Sequence, residues 1–365
     1  MTVRTVKLGD VIEINPRSNY SLASDSNVAF LAMADISEDG QILATQSRPL
    51  SEVAKGYTSF QNGDVLLAKI TPCFENGKAA LVHGMFSDVA FGSTEFHVLR
   101  PTEEIDGRYL YHLVWNPAFR TAGARRMTGS AGQKRVPAAF LSDFEIALPR
   151  FEEQKRIAAI LDKADSLRRK RQQTIRLADD LLRAVFLEMF GDPVTNPKGL
   201  PKLALGELIK LKSGEFLPAS EMSSDGSIPV YGGNGINGYH DEKMFDESQI
   251  VIGRVGAYCG AVHQTKEPCW VTDNALYVAE KSPDLHSDYL LFALRQANLN
   301  QYASQSGQPL VSGGRIYPVE ILMPDMPTQD TFAQIIQRRG ALSDSLVLSE
   351  MAVAQLGKSL QSNFF

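Results

Sequence analysis

Cysteine is scarce in this chain. Three residues in 365, Cys73, Cys259 and Cys269, show neither pairing logic nor metal-ligand spacing. A disulfide framework and a cysteine-built zinc site are thereby excluded, and the three thiols are expected to be reduced and buried. The six histidines, His83, His97, His112, His240, His263 and His286, are scattered and form no H-E-x-x-H pair. There is no G-x-x-x-x-G-K-[ST] phosphate loop, so no ATPase is indicated. No apolar run approaches the roughly 20 residues that span a bilayer. The start, MTVRTVKLGD, lacks the apolar core of a signal peptide, so a cytoplasmic location is expected. Positive charge is also lacking: 37 Lys and Arg against 42 Asp and Glu give a net charge of −5. That argues against coating nucleic acid by bulk charge and leaves room for a local basic surface.

What the chain does have is a repeat. ALPRFEEQKRIAAILDKADSLRRKRQQTIRLADDLLRAVFLEMF (147–190) aligns without a gap on LMPDMPTQDTFAQIIQRRGALSDSLVLSEMAVAQLGKSLQSNFF (322–365), Pro149 on Pro324 and Phe190 on Phe365. So long a period means two copies of a whole module rather than a solenoid. In the first copy Ile157, Ile160, Leu161, Ala164, Leu167, Ile175, Ala178, Leu181, Leu182, Val185 and Met189 form one stripe. In the second, Phe332, Ile335, Ile336, Leu342, Leu346, Val353, Leu356, Leu360 and Phe364 form its counterpart. The alternating three- and four-residue spacing predicts two packing helices, each on the order of 60 Å long, paired antiparallel. Gly191 and Pro193 end the first, and the breaker-rich stretch to Lys202 reads as a linker.

The segments before the helices also repeat, more loosely. VKLGDVIEI pairs with LALGELIKL, NGDVLLAKI with ESQIVIGRV, FGSTEFHVLRP with WVTDNALYVAE, GRYLYHLV with SDYLLFAL, and DFEIALP with PVEILMP. Short β-branched and aromatic runs between Gly, Pro and Asn breakers predict strand-rich mixed domains, with one helix near Tyr109–Trp115. The expected division is 1–148, a helix over 149–190, a linker over 191–202, 203–323, and a second helix over 324–365. The order of elements is shared while the loops differ, and loops are where recognition resides.

Two motifs invite enzymatic readings and do not sustain them. GNGING (Gly233–Gly238) matches G-x-G-x-x-G, but no helical periodicity follows it, so it reads as a glycine-rich contact loop. NPAF (Asn116–Phe119) resembles the tetrapeptide of amino-methyltransferases, yet the glycine-rich cofactor loop those enzymes need is missing. Pro117 is expected simply to stop the preceding helix. The best positive signal is RRMTGSAGQKR (Arg125–Arg135), four cations and no acid, whose Arg, Lys, Ser, Gln and Gly suit phosphates and base edges. Its counterpart, SQSGQPLVSGGR (Ser304–Arg315), keeps the Gly/Ser/Gln chemistry with fewer cations.

LP-x-F-E-E-Q-K-R-I-A-A-I-L-D-K-A-D (Leu148–Asp165), G-D-P-V-T-N-P-K-G (Gly191–Gly199), I-P-V-Y-G-G-N-G-I-N-G-Y (Ile228–Tyr239) and W-V-T-D-N-A (Trp270–Ala275) resemble the specificity subunit of type I restriction–modification enzymes. The resemblance covers nearly the whole chain. It implies an α+β fold: two target-recognition domains, each followed by a long helix, with the helices packed as an antiparallel coiled-coil pair. It implies a bipartite, asymmetric site on double-stranded DNA, each half read by one domain, with helix length setting the gap. Catalysis and cofactors of its own are not expected. The implied partners are two methyltransferase (modification) subunits, which use S-adenosylmethionine, and motor/nuclease (restriction) subunits; no membrane partner is implied.

Loop chemistry nominates Lys69, Arg125, Arg126, Ser130, Gln133, Lys134 and Arg135 in the first domain as DNA contacts. In the second it nominates Tyr231, Asn234, Asn237, Arg254, Tyr258, Thr272, Asn274, Gln308 and Arg315. The competing expectations are a non-catalytic scaffold that binds proteins and a fused methyltransferase. One departure from the pattern is noted: where the first helix opens E-E-Q-K-R, the second has T-Q-D-T-F (Thr328–Phe332).

Overall fold

A computed structural model describes residues 4–17, 20–130, 132–223, 225–304 and 307–340. The predicted helix and stripe beyond residue 340, Leu342 to Phe364, lie outside these residues, and so does the pairing expected of them. Contacts divide the chain into two compact units at Arg171/Gln172, inside the long helix rather than at the breaker-rich linker.

In the first unit a four-stranded sheet runs in the order Ile12–Ile14, Phe96–Pro101, Val65–Ala68, Ala79–Leu81. A second runs Gln46–Pro49, Asn27–Leu31, Ala90–Gly92, Thr58–Phe60, with one parallel pair in the middle. The strand Val65–Ala68 is buried throughout, as a strand covered on both faces must be. Val65 and Leu67 face a core shared with Tyr109, Leu110 and Leu113; Leu66 and Ala68 face a core shared with Ala29, Leu31 and Phe60. Helix α1 (Gly107–Trp115) supplies that first core and is capped by Asp106, whose carboxylate accepts from the N–H groups of Arg108 and Tyr109.

Pro117 does not merely stop α1. It opens a second helix, α2 (Pro117–Arg125), with the Asn116 side chain accepting from Ala118 N–H. Proline fits a first helical position because that N–H has no intrahelical partner and φ is already helical. The expectation of a single helix here is therefore corrected, and the NPAF motif is a helix cap.

The second unit repeats the plan. One sheet orders Ile209–Ser213, Ala275–Lys281, Ile250–Gly253, Val262–Gln264; another orders Gly235–His240, Ile228–Gly232, Trp270–Val271, again with one parallel pair. Ile250 and Ile252 face the core beneath α4 (Ser287–Gln296), while Val251 faces Tyr231, Cys269 and Val271.

Helix α3 (Phe151–Phe190) carries Glu152 and Glu153 in its first turn, where carboxylates suit the helix dipole. It ends at Gly191, whose φ of +79° gives the left-handed exit. Its early residues Ile157, Ala158 and Leu161 belong to the first unit's core; Leu182, Phe186 and Phe190 belong to the second's. Within the second unit the helix over 326–340 (α5) packs against the end of α3. Phe332 meets the Phe190 ring at 5.3 Å and that of Phe186 at 5.7 Å, and Arg339 pairs with Asp179. Higher numbers on one helix meet lower ones on the other, so these stretches are antiparallel. Among the described residues no helix is long and apolar enough to cross a membrane.

The glutamine kept by both helix starts is a staple. Gln154 is fully buried; its Nε2 donates to the carbonyls of Glu104 (2.9 Å) and Pro149 (3.0 Å), and its Oε1 accepts from Asp106 N–H (2.8 Å). Gln329 does the same with Asp284 (3.0 Å), Pro324 (2.8 Å) and His286 N–H (2.9 Å). The departure at Thr328–Phe332 thus leaves the structural residue intact. Gln154→Ala, which strands a buried N–H and two carbonyls, is expected to destabilise its unit by about 2–4 kcal/mol. Urea unfolding checks this, and an unchanged midpoint would rule out the staple.

Candidate functional site

At the end of strand Val65–Ala68 in the first unit, three loop segments are joined by backbone hydrogen bonds. Lys69 N–H donates to the Glu95 carbonyl (2.9 Å), Val136 N–H to the Lys69 carbonyl (2.9 Å), and Thr71 N–H to the Lys134 carbonyl (2.9 Å). From Thr128 onward the cationic stretch is therefore closed as a hairpin, while Arg125 ends helix α2. Thr128 and Arg135 bond each other through both backbone groups (3.0 and 2.8 Å). Gly129, at φ +124°, turns the chain where a Cβ would come within 2.8 Å of the Gln133 carbonyl.

The second unit builds the same frame at the end of strand Ile250–Gly253. Arg254 N–H donates to the Asn274 carbonyl (2.9 Å), Val311 N–H to the Arg254 carbonyl (2.8 Å), Gly256 N–H to the Pro309 carbonyl (3.0 Å), and Ser304 N–H to the Leu310 carbonyl (2.9 Å). Three bonds match directly, those of Lys69, Val136 and Thr71 with those of Arg254, Val311 and Gly256, so these positions correspond; the closing pair differs, because Leu310 N–H donates to Ser304 Oγ (3.0 Å) where Arg135 N–H donates to the Thr128 carbonyl. Lys69 answers to Arg254, Glu95 to Asn274, Gln133 to Gln308, Lys134 to Pro309, and Arg135 to Leu310. The side chains on one backbone frame differ in charge and hydrogen-bonding type, which is what two recognition surfaces of different preference need. Among the described residues no three His, Cys, Asp or Glu converge as a metal site.

The pattern of the type I restriction modification DNA specificity domain matches the chain over residues 2–177 and again over 197–346. The chain belongs to this family. It is 43% identical over 150 residues to the specificity subunit of the type I restriction enzyme EcoAI from Escherichia coli, covering 40% of this chain and 25% of that subunit. It therefore spans about a quarter of the length of that relative. The EcoprrI specificity subunit, also from Escherichia coli, is 27% identical over 353 residues, 88% of this chain and 82% of its own length. Among solved structures, the type I restriction–modification S subunit from M. genitalium matches with a TM-score of 0.67 at 14% identity, over 100% of this chain and 96% of that one, a likeness of fold.

In this specificity-family chain the nominated residues fall into three groups. Arg125, Arg126, Ser130, Gln133 and Lys134 are exposed on or beside the first hairpin, with Lys69 half-buried at its base. Asn234, Tyr258, Asn274 and Gln308 are exposed around the second frame, and Arg254 is half-buried with Nη1 on Ser213 Oγ (3.2 Å). Gly233 brings its turn against the Asn274 and Val255 carbonyls, so GNGING is the turn (Gly233, Asn234) and first strand residues of a β-hairpin beside the frame. Asn237, also exposed, lies on that hairpin's outgoing strand, Gly235–His240. Arg315, exposed on the short helix Gly313–Ile316, points Nη1 to the Tyr302 carbonyl.

Two nominations are corrected. Tyr231 is 4% exposed on the inner face of its sheet, its hydroxyl accepting from Lys266 N–H (2.9 Å), and Thr272 is 2% exposed. Neither side chain reaches the surface, so both support the frame from beneath.

Sequence reasoning missed Glu95 and His97. Glu95 takes the Arg135 guanidinium side-on, Nε to Oε2 at 2.9 Å and Nη2 to Oε1 at 2.7 Å. That hydrogen-bonded guanidinium holds the Glu95 carboxyl below the usual carboxylate range. The signal was available: aligning FGSTEF on WVTDNA sets Glu95 opposite Asn274. His97 is buried, with Nε2 2.8 Å from the Val136 carbonyl and Nδ1 3.2 Å from Asn15 Nδ2. Because the amide nitrogen can only donate, Nδ1 accepts and Nε2 carries the proton.

Burial pushes the His97 pKa below its ordinary 6.5. The unfolded chain then binds more protons in mild acid than the folded one, so this stability is present above pH 6.5 and lost as pH falls through it. Between pH 7.5 and 5, the urea midpoint of the wild type is expected to fall more than that of His97→Gln. Equal slopes would contradict a neutral His97.

Proposed function

We propose that this chain is the DNA-recognition subunit of a type I restriction–modification complex, with its domains over 1–148 and 203–323 and helices over 149–190 and 324–365. Each domain reads one half of a bipartite site on double-stranded DNA. The exposed residues of the two frames make the contacts, Arg125, Arg126 and Lys134 on phosphate in the first. Methyltransferase subunits using S-adenosylmethionine and motor/nuclease subunits supply the chemistry, in the cytoplasm, while this chain catalyses nothing and holds no cofactor.

The observation that carries this reading is the pair of matching frames bearing unlike polar side chains. Shared backbone geometry with divergent surface chemistry suits two half-sites of different sequence. The acidic total charge fits as well, because the segment Arg125–Arg135 carries four cations and no acid and so forms a local basic surface on an acidic chain.

The test is a genome-wide map of methylated adenine in cells expressing the chain with the methyltransferase subunit encoded beside it. A split motif with unlike halves around a fixed gap is expected. Asn274→Ala or Arg254→Ala is then expected to relax one half only, by about 1–3 kcal/mol per lost base contact. No split motif, from a methyltransferase active with another specificity subunit, would overturn the proposal in favour of a protein-binding scaffold.

A further inference from the structure

The Arg135 side chain is held more tightly than the hairpin requires. Nε and Nη2 engage both oxygens of Glu95, and Nη1 donates to the Gln133 carbonyl at 3.1 Å. A guanidinium has five N–H groups. With three engaged, two remain, one on each terminal nitrogen. The side chain keeps 42% of its exposure, so this remaining pair is open to a ligand. The backbone beneath it is pinned by Thr128, by Ile70 and, through Val136, by Lys69 and His97.

We propose that Arg135 reads a guanine in the half-site of the first domain, and that Glu95 is the positioning residue that aims it. This rests on the DNA-recognition reading above and goes beyond it by assigning a base. Two donors set one on each terminal nitrogen match the O6 and N7 acceptors that only guanine presents together in the major groove. Fixing the guanidinium in advance lowers the ordering cost of binding and makes a misplaced acceptor costly. A carboxylate on a DNA-facing surface otherwise repels phosphate, and its pairing with Arg135 accounts for its presence there. The second frame has Leu310 and Asn274 at the corresponding places and builds no such fork, so the device belongs to one half-site.

The experiment uses the full chain assembled with its methyltransferase subunit, on duplexes carrying the mapped motif. Each guanine is replaced in turn by 7-deazaguanine, which lacks the N7 acceptor. One replacement in one half is expected to weaken wild-type binding roughly tenfold and to have no further effect on Arg135→Ala. Glu95→Gln is expected to lose discrimination at that same base pair, on the order of tenfold, while binding to random duplex holds or rises. A purely structural Glu95 would lower binding to every duplex together. If Glu95→Gln does not fold, Arg135→Lys keeps the charge, removes the fork and is expected to lose the same discrimination.

The assignment is overturned if no guanine is sensitive to N7 removal. It is equally overturned if Arg135→Ala leaves base preference intact and only flattens the salt dependence by about one counterion, the mark of a phosphate contact. A wild-type complex with no preference for the mapped duplex would instead defeat the DNA-recognition reading itself.

Discussion

One backbone hydrogen bond in each unit holds the surface on which the rest depends. Val136 N–H meets the carbonyl of Lys69, and Val311 N–H meets that of Arg254. Each closes a loop distant in sequence onto the residue that follows a central strand. With the bonds that flank it, Thr71 to Lys134 in the first unit and Gly256 to Pro309 in the second, it spares these segments the ordering cost that a loose loop would carry in every contact. With it, side chains project from fixed positions, and changing a side chain changes preference without changing the fold.

The layers beneath explain why that bond can form. The strands Val65–Ala68 and Ile250–Gly253 are apolar on both faces, one toward helices and one toward a second sheet, so their ends are placed by two cores at once. Helix positions are tied in turn by Gln154 and Gln329, whose amides close the gap between helix start and domain. Tyr109 and Tyr289 add matched hydroxyl bonds to the carbonyls of Ala147 (2.9 Å) and Leu322 (2.7 Å). These are buried polar groups with partners supplied, the condition under which burial stabilises rather than destabilises.

The repeat, the helix of the first copy and the order of strands were legible because they rest on periodicity and breakers. Loop composition nominates Lys69, Lys134, Asn274 and Gln308 as DNA contacts, and the structure places all four on the two frames. Tyr231 and Thr272 were misjudged because composition does not tell which face of a short strand is covered by a second sheet; Thr272 and Asn274 lie two residues apart, and a turn at Asp273 sends only the latter outward. Pro117 was read as a stop because its role at a first helical turn depends on Asn116 capping it. Glu95 is hard to read from sequence because an anion beside a basic surface has no signature of its own and its partner Arg135 is far away in sequence.

Net acidity and a local basic surface coexist here because four cations and no acid fall together in residues 125–135. On the proposed reading both frames, and not other surfaces, meet DNA. Hydrogen–deuterium exchange of the assembled complex with and without a duplex carrying the mapped motif tests it most directly. New protection is expected over 69–71 and 128–136 together with 254–258 and 307–311. Protection confined to one frame, or falling on strands away from both, would contradict it.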